Sequence, residues 1–122
     1  MLSLAQVAVN VQDLPRATAF YRDVLGLPFL FDVPGQFSFF QLGPTRLMLE
    51  KPGSPEFDHP NSIFYFKVPA IEEAFERLGV EGVEIVHAPR MIAEMPDHRL
   101  WMGFFKDSEG NTLALMEEKR LS

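Results

Sequence analysis

Cysteine is absent from this chain of 122 residues, histidine occurs only 3 times, and 11 basic residues face 17 acidic ones. Without cysteine there is no thiolate nucleophile, disulfide framework, iron–sulfur cluster or thiolate zinc site. Any chemistry must then rest on histidine, carboxylates, amides, hydroxyls or a borrowed cofactor. The lack also suits a reducing compartment, so a cytoplasmic location is expected. A formal net charge of -6 offers no electrostatic footprint for a phosphate backbone or an anionic bilayer. Neither nucleic acid nor membrane is an expected partner. No apolar run reaches the ~18 residues of a spanning helix, and the opening MLSLAQVAVN has neither a basic n-region nor a cleavage-like site. The expectation is a soluble, unprocessed protein. P-loop, GxGxxG and acyl-transfer triad patterns are missing too.

What is present is apolar: 47% of residues are hydrophobic and 12 are Phe. That suffices for one domain with a real core, and the pattern within it repeats. Gln6 to Val11 alternates as a half-buried strand. Asp13 then offers an N-cap, Pro15 suits a first turn, and ATAFYRDVL runs at helical spacing to Gly26, a C′ residue. Three short β-like runs follow, Phe29–Asp32, Gln36–Leu42 and Arg46–Lys51, punctuated by Pro34-Gly35 and Gly43-Pro44. After a proline-dense stretch the order restarts. Ile63–Val68 is a strand, Glu72–Leu78 a helix followed by Gly79, and Val83–His87, Leu100–Lys106 and Thr112–Met116 are three more strands. The chain therefore divides into a βαβββ module over 4–51, a linker over 52–60 that holds Phe57, and a second βαβββ module over 61–118, all within one α+β domain. His87–His98, with Pro89, Pro96, Met91 and Met95, reads as a loop or lid.

Strand parity separates two faces. Val7, Val9, Val11, Phe64, Phe66, Val68, Leu47, Leu49, Leu113 and Leu115 form apolar rows suited to packing under the helices. The opposite rows are mixed, as in Gln6, Ala8, Asn10 and in Arg46, Met48, Glu50. A second face that is neither apolar nor fully polar suggests a curved, cup-like mixed sheet closing over a cavity.

Two segments, VAVNVQDLPRATAFYRDVLGLPFLF and MGFFKDSEGNTLALMEE, together with the paired modules, resemble the vicinal oxygen chelate superfamily of glyoxalase I, extradiol dioxygenases and bleomycin-resistance proteins. The resemblance covers essentially the whole chain. It implies a tandem βαβββ fold, a small-molecule ligand in a cup between modules, and a homodimer. In enzymatic members it also implies one divalent metal held by one side chain from the first and last strands of each module. Carried across by motif, those positions are Gln6, Met48, Ile63 and Ala114, of which only Gln6 has a suitable donor. Glu50, one rung beyond Met48 on the same strand face, is an alternative.

The reading is thus a binder with no metal and no cofactor, taking an apolar or aromatic molecule. Met48, Tyr65, Trp101 and Met116 would line the site, and Gln6, Glu50 and His98 would orient polar groups. No catalytic residue is assigned. The alternative is a metal-dependent lyase, isomerase or dioxygenase with one divalent ion on Gln6, Glu50 and His98. Simpler roles stand beside these: Trp101 and Tyr65 as core aromatics, His98 as a surface strand-end residue, Glu50 as an ion-pair partner of Arg46. Asp107-Ser108-Glu109-Gly110-Asn111 reads as turn chemistry.

Overall fold

The computed structural model describes residues 1–55 and 58–121. Glu56 and Phe57 of the expected linker lie outside the described residues. The backbone divides into two compact units, Met1–Asn61 and Ser62–Ser122.

The first unit runs β1 (Gln6–Asn10), α1 (Leu14–Ala19), β2 (Phe29–Val33), β3 (Phe37–Leu42) and β4 (Thr45–Glu50). Its mixed sheet has the order β1-β4-β3-β2, with β1 parallel to β4 and the other pairs antiparallel. Asp13 caps α1 by accepting from the Arg16 amide at 3.1 Å, and Pro15 fills the first turn where no N–H is needed. The helix widens into a π-helical stretch over Phe20–Val24 and stops at Gly26, whose φ of 70° is open to glycine at no steric cost. Beneath it Val9, Leu47, Leu49 and Phe40 are almost fully buried, as are Ala17 and Tyr21 of the helix. Each large apolar side chain removed from water in this way stabilises the unit by roughly 1.5–3 kcal/mol. The helix–sheet seam also holds a buried polar pair, the hydroxyls of Thr18 and Ser38, 2.6 Å apart. Thr18 Oγ1 spends its one hydrogen on the Leu14 carbonyl at 2.7 Å, so Ser38 is the donor between them.

The second unit repeats the plan with β5 (Phe64–Lys67), α2 (Ile71–Val80), β6 (Ile85–Glu94), β7 (His98–Lys106) and β8 (Thr112–Arg120), ordered β5-β8-β7-β6. Its core joins Ile71, Phe75 and Leu78 of α2 to Phe105, Leu113 and Leu115. The N-cap residue Ala70 has no side-chain acceptor, and Glu117 of β8 substitutes for one, taking the Ile71 amide at 2.9 Å. Gly103 of β7 lets the helix approach closely: a Cβ there would fall 2.5 Å from Cζ of Phe75. The registers match between units. Ala8, Met48 and Phe39 form one rung of the first sheet, and Tyr65, Ala114 and Phe104 the equivalent rung of the second. The Asp107–Asn111 segment is the turn the sequence indicates, with Asp107 Oδ1 accepting from the amides of Glu109 and Asn111, each at 2.8 Å.

Two expectations are corrected. The cup-like mixed sheet is not found: the described residues form two separate, open four-stranded sheets, and no sheet is closed or strongly curled. Alternation fixes which residues share a face but carries no information on curvature, and the polar admixture on the second face reflects ordinary exposure, as at Gln6, Ala8, Tyr65 and Lys67. Nor is His87–His98 a loop. Most of it belongs to β6, which pairs with β7 from Ile85↔Phe105 to Glu94↔Arg99. Register shifts between Ile85 and His87, between His87 and Arg90, and between Met91 and Ala93 break the two-residue period and leave room for Pro89, which has no amide to give a ladder.

Candidate functional site

In each unit one sheet face packs under the helix and the other, here called the open face, carries no helix of its own unit. On the open face of the first sheet the register places Gln6, Ala8 and Asn10 beside Arg46, Met48 and Glu50, then Phe37, Phe39 and Gln41, then Phe31 and Val33 of the outer strand. The aromatic residues touch one another: the Phe31 and Phe39 rings lie 4.7 Å apart at their centroids and those of Phe37 and Phe39 6.0 Å. The Arg46 guanidinium stands 4.9 Å over the Phe39 ring and donates through Nε to Gln6 Oε1 at 2.8 Å. Gln6 Nε2 points at Met48 Sδ, 3.7 Å away. Gln6 and Met48 are thus in contact, and both ends of the Gln6 amide are occupied.

Glu50 is half-buried one rung beyond Met48, between Asn10 and Phe37 in register. Its carboxylate makes no hydrogen bond or ion pair among the described residues; Arg46, its expected partner, is turned toward Gln6. Asn10 is pinned, its Nδ2 donating to the His59 carbonyl at 2.9 Å and its backbone amide to Asn61 Oδ1 at 3.0 Å. Past the end of β4 a cleft of ≈ 550 Å³ opens between Gly35–Phe37 and the segment Glu50–Ser54.

On the open face of the second sheet Tyr65 stands edge-on to Phe104 at 5.8 Å, and the His87 ring meets Phe104 from β6 at 6.0 Å. Met116 and Met102 pair on the next rung, beside Lys67. His98 lies on this face too, at its far margin, with its side chain 15% exposed. It stands in the middle of a chain of polar contacts: Lys67 Nζ reaches Glu118 at 3.0 Å, Glu118 lies 3.9 Å from His98 Nε2, His98 Nδ1 is 2.7 Å from Asp97, and Arg120 bonds Asp97 at 3.2 Å. Hydrogen bonding from His98 holds the Asp97 carboxyl below the ordinary carboxylate range, and Lys67 does the same for Glu118. Trp101 lies elsewhere. By parity with Gly103 and Phe105 it belongs to the helix-covered face, where Lys119 Nζ sits 4.6 Å over its ring.

The four metal positions implied by the family pattern can be tested by their donors. Gln6 offers an amide already engaged on both sides, Met48 a soft thioether, and Ile63, exposed just before β5, and the buried Ala114 offer nothing. This set does not fit a hard or borderline divalent ion. The altered set fares no better, because Gln6 pairs with Arg46 and Glu50 with Asn10, four residues apart along β1 and β4. That is ~13 Å of strand, far beyond a shared coordination sphere. Among the described residues no group of three or more His, Asp or Glu side chains could hold a metal ion.

Parity applied to β3 would have found the aromatic row: Phe37, Phe39 and Gln41 alternate with Ser38 and Phe40 as cleanly as the flanking strands do. Phe31, Phe37, Phe39 and Phe104 also stand on these faces and are not among the expected site residues.

The family model for the Glyoxalase/Bleomycin resistance protein/Dioxygenase superfamily matches residues 3–115. A comparison with curated proteins finds no match. Among solved structures, a lactoylglutathione lyase from Agrobacterium tumefaciens is similar at 24% identity and a TM-score of 0.78, covering 94% of this chain and 92% of its own. TnmS3, an antibiotic binding protein from Streptomyces sp. CB03234, is similar at 23% identity and a TM-score of 0.73, covering 98% of each chain. TioX from Micromonospora sp. ML1 is similar at 19% identity and a TM-score of 0.75, covering 98% of this chain and 99% of its own.

Proposed function

Because the chain belongs to the Glyoxalase/Bleomycin resistance protein/Dioxygenase superfamily, we propose that it is a small-molecule-binding protein that holds an apolar or aromatic ligand on the open face of a sheet without a metal ion. The fold is shared by a lyase and by an antibiotic binding protein, so fold alone does not choose between catalysis and binding. The donor set supports the choice. Where a metal-using relative needs several hard N or O ligands, this chain presents a committed amide, a thioether, an isoleucine and an alanine.

The surroundings support binding in its own right. Phe31, Phe37 and Met48 in the first unit, and Tyr65, Phe104, Met102 and Met116 in the second, give rigid ring faces and adaptable thioethers. Gln6, Glu50 and His98 stand at the borders of these patches, where they would orient polar groups of the ligand. Trp101, on the helix-covered face, serves the core of its own unit in this reading.

Thermal midpoints measured against a panel of divalent ions and a panel of aromatic compounds test the proposal, since a ligand that binds only the folded state must raise the midpoint. The expected result is a rise with aromatic compounds, lost in Phe37→Ala, and no response to Mn, Fe, Ni or Zn. Stoichiometric metal in protein purified without chelator overturns it. No helix among the described residues is long and apolar enough to cross a membrane; the acidic, cysteine-free composition supports the proposed cytoplasmic setting. A homodimer is the proposed assembly, checked by sedimentation.

A further inference from the structure

The cleft past the end of β4 joins two groups that attract the same kind of ligand. Phe37 and Glu50 are register partners on adjacent strands, and both line it. A ring face carries the negative lobe of its quadrupole, and a carboxylate carries a full negative charge; placed side by side, both favour a cation and both repel an anion. The Glu50 carboxylate is half-buried yet has no cationic or hydrogen-bonding partner among the described residues, although Arg46 lies on the same strand face. Arg46 instead lies over Phe39 and bonds Gln6. Arg46 thus already occupies the buried middle ring of the row, Phe39, while Phe37 and Glu50 at the cleft carry no such cation.

One lining residue works the other way. Lys51 follows Glu50 and also borders the cleft. It is exposed where Glu50 is half-buried, and its long stem keeps the ammonium in water, where its field is screened. The balance at the cleft wall is set by the less solvated charge, which is the carboxylate.

From this juxtaposition we propose that the cleft beside Phe37 and Glu50 selects ligands bearing a protonated amine or another organic cation, with their apolar body lying against the Phe37 ring. The inference rests on the reading that the open sheet face binds an apolar molecule, and it adds the chemical class. Glu50 acts here as a binding residue with no catalytic role.

The test compares naphthylmethylamine, charged at neutral pH, with naphthylmethanol, its neutral counterpart of the same shape, titrated into the full chain and followed by backbone amide shifts. The amine is expected to bind about fivefold or more tighter than the alcohol, with shifts concentrated at residues 35–37 and 50–54, and the preference to shrink as salt is raised. Glu50→Gln should abolish the preference by weakening amine binding more than alcohol binding, with the unliganded spectrum that of a folded chain. Lys51→Met should strengthen amine binding, an opposite sign that loss of folding cannot produce. If amine and alcohol bind equally, or Glu50→Gln leaves the preference in place, the inference is overturned while the apolar-binding reading survives. Binding of neither compound overturns both.

Discussion

Replacing Gly103 with alanine adds one methyl group where the sheet of the second unit lies close against Phe75 of its helix. The new Cβ would meet the Phe75 ring at 2.5, 2.7 and 3.1 Å from three of its carbons, against an ordinary contact distance of ~3.5–4.0 Å. The ring cannot swing aside freely. Phe75 is 7% exposed and sits edge-on to Phe105, itself fully buried, with centroids 6.0 Å apart and planes at 84°. The strand must shift, α2 must lift, or the ring must leave its rotamer, and overpacking of this kind destabilises by about 1–3 kcal/mol. For a chain of this size that is a fall of roughly 3–6 °C in midpoint per kcal/mol. Urea unfolding followed by the single tryptophan, Trp101, two residues away on the same face of β7, reads the effect in the correct unit. The control is Phe75→Leu, which leaves a partial cavity but removes the ring edge. The double variant Gly103→Ala with Phe75→Leu should lose less stability than the sum of the two singles, with a coupling of about 1 kcal/mol or more. If Gly103→Ala unfolds within 0.5 kcal/mol of the parent, or the two changes simply add, the close approach does not hold the helix in place and the reasoning fails.

Three further outcomes follow from the same geometry. Thr18→Val should cost about 1–3 kcal/mol, because it strands the buried Ser38 hydroxyl without an acceptor, whereas Ser38→Ala should cost only about 1 kcal/mol since Thr18 keeps its bond to the Leu14 carbonyl; equal losses in denaturant titrations would refute the donor assignment. Asp107→Ala removes three bonds to one carboxylate, from the Glu109 and Asn111 amides and the Asn111 side chain, and should lower stability by about 2–4 kcal/mol, read by hydrogen exchange at the β7–β8 turn, where an unchanged exchange rate is the contrary result. Glu72, hydrogen-bonded by Lys119 at 2.6 Å, and Asp97 and Glu118, held by His98 and Lys67, all have folded-state pKa values below their ordinary range. Their contribution is therefore present above about pH 4 and lost as pH falls through the lowered values. Lys119→Met should make the acid limb of the thermal midpoint shallower, and an unchanged limb would argue against the Glu72 pair.

The sequence made legible whatever depends on short periods and local turn chemistry. Asp13, Pro15 and Gly26 mark the ends of the first helix because cap, first turn and stop each demand a particular backbone, and the structure uses all three in those roles. The duplication is visible because Met48 and Ala114 occupy equivalent strand positions, and the registers agree. In the His87–His98 stretch register irregularities and a proline erase alternation, so a bulged strand looks like a loop. Sheet curvature was out of reach for a different reason: it follows from twist and strand coiling, which alternation does not encode. At the candidate site, parity puts Gln6 and Met48 each on the helix-free side of its strand, and the family pattern brings them to one site; the structure has them in contact. The direction Arg46 takes, toward Gln6 and Phe39 and away from Glu50, depends on competition between side chains in three dimensions.

The outer strand β2 is exposed along its whole length and carries Phe29, Leu30 and Phe31 at the margin of its sheet. An outermost strand of this composition is a template on which another chain can add a strand, the first step toward aggregation when the protein is concentrated or partly unfolded. The chain limits the hazard with two inexpensive devices. Asp32 places a charge inside the apolar run, and Pro34, directly after the strand, withholds the amide that an added strand would need next. Asp32, on the far side of the sheet from the candidate site and with no catalytic role, is thus the position at which a neutral substitution would be felt first in the test tube, as lost solubility during refolding.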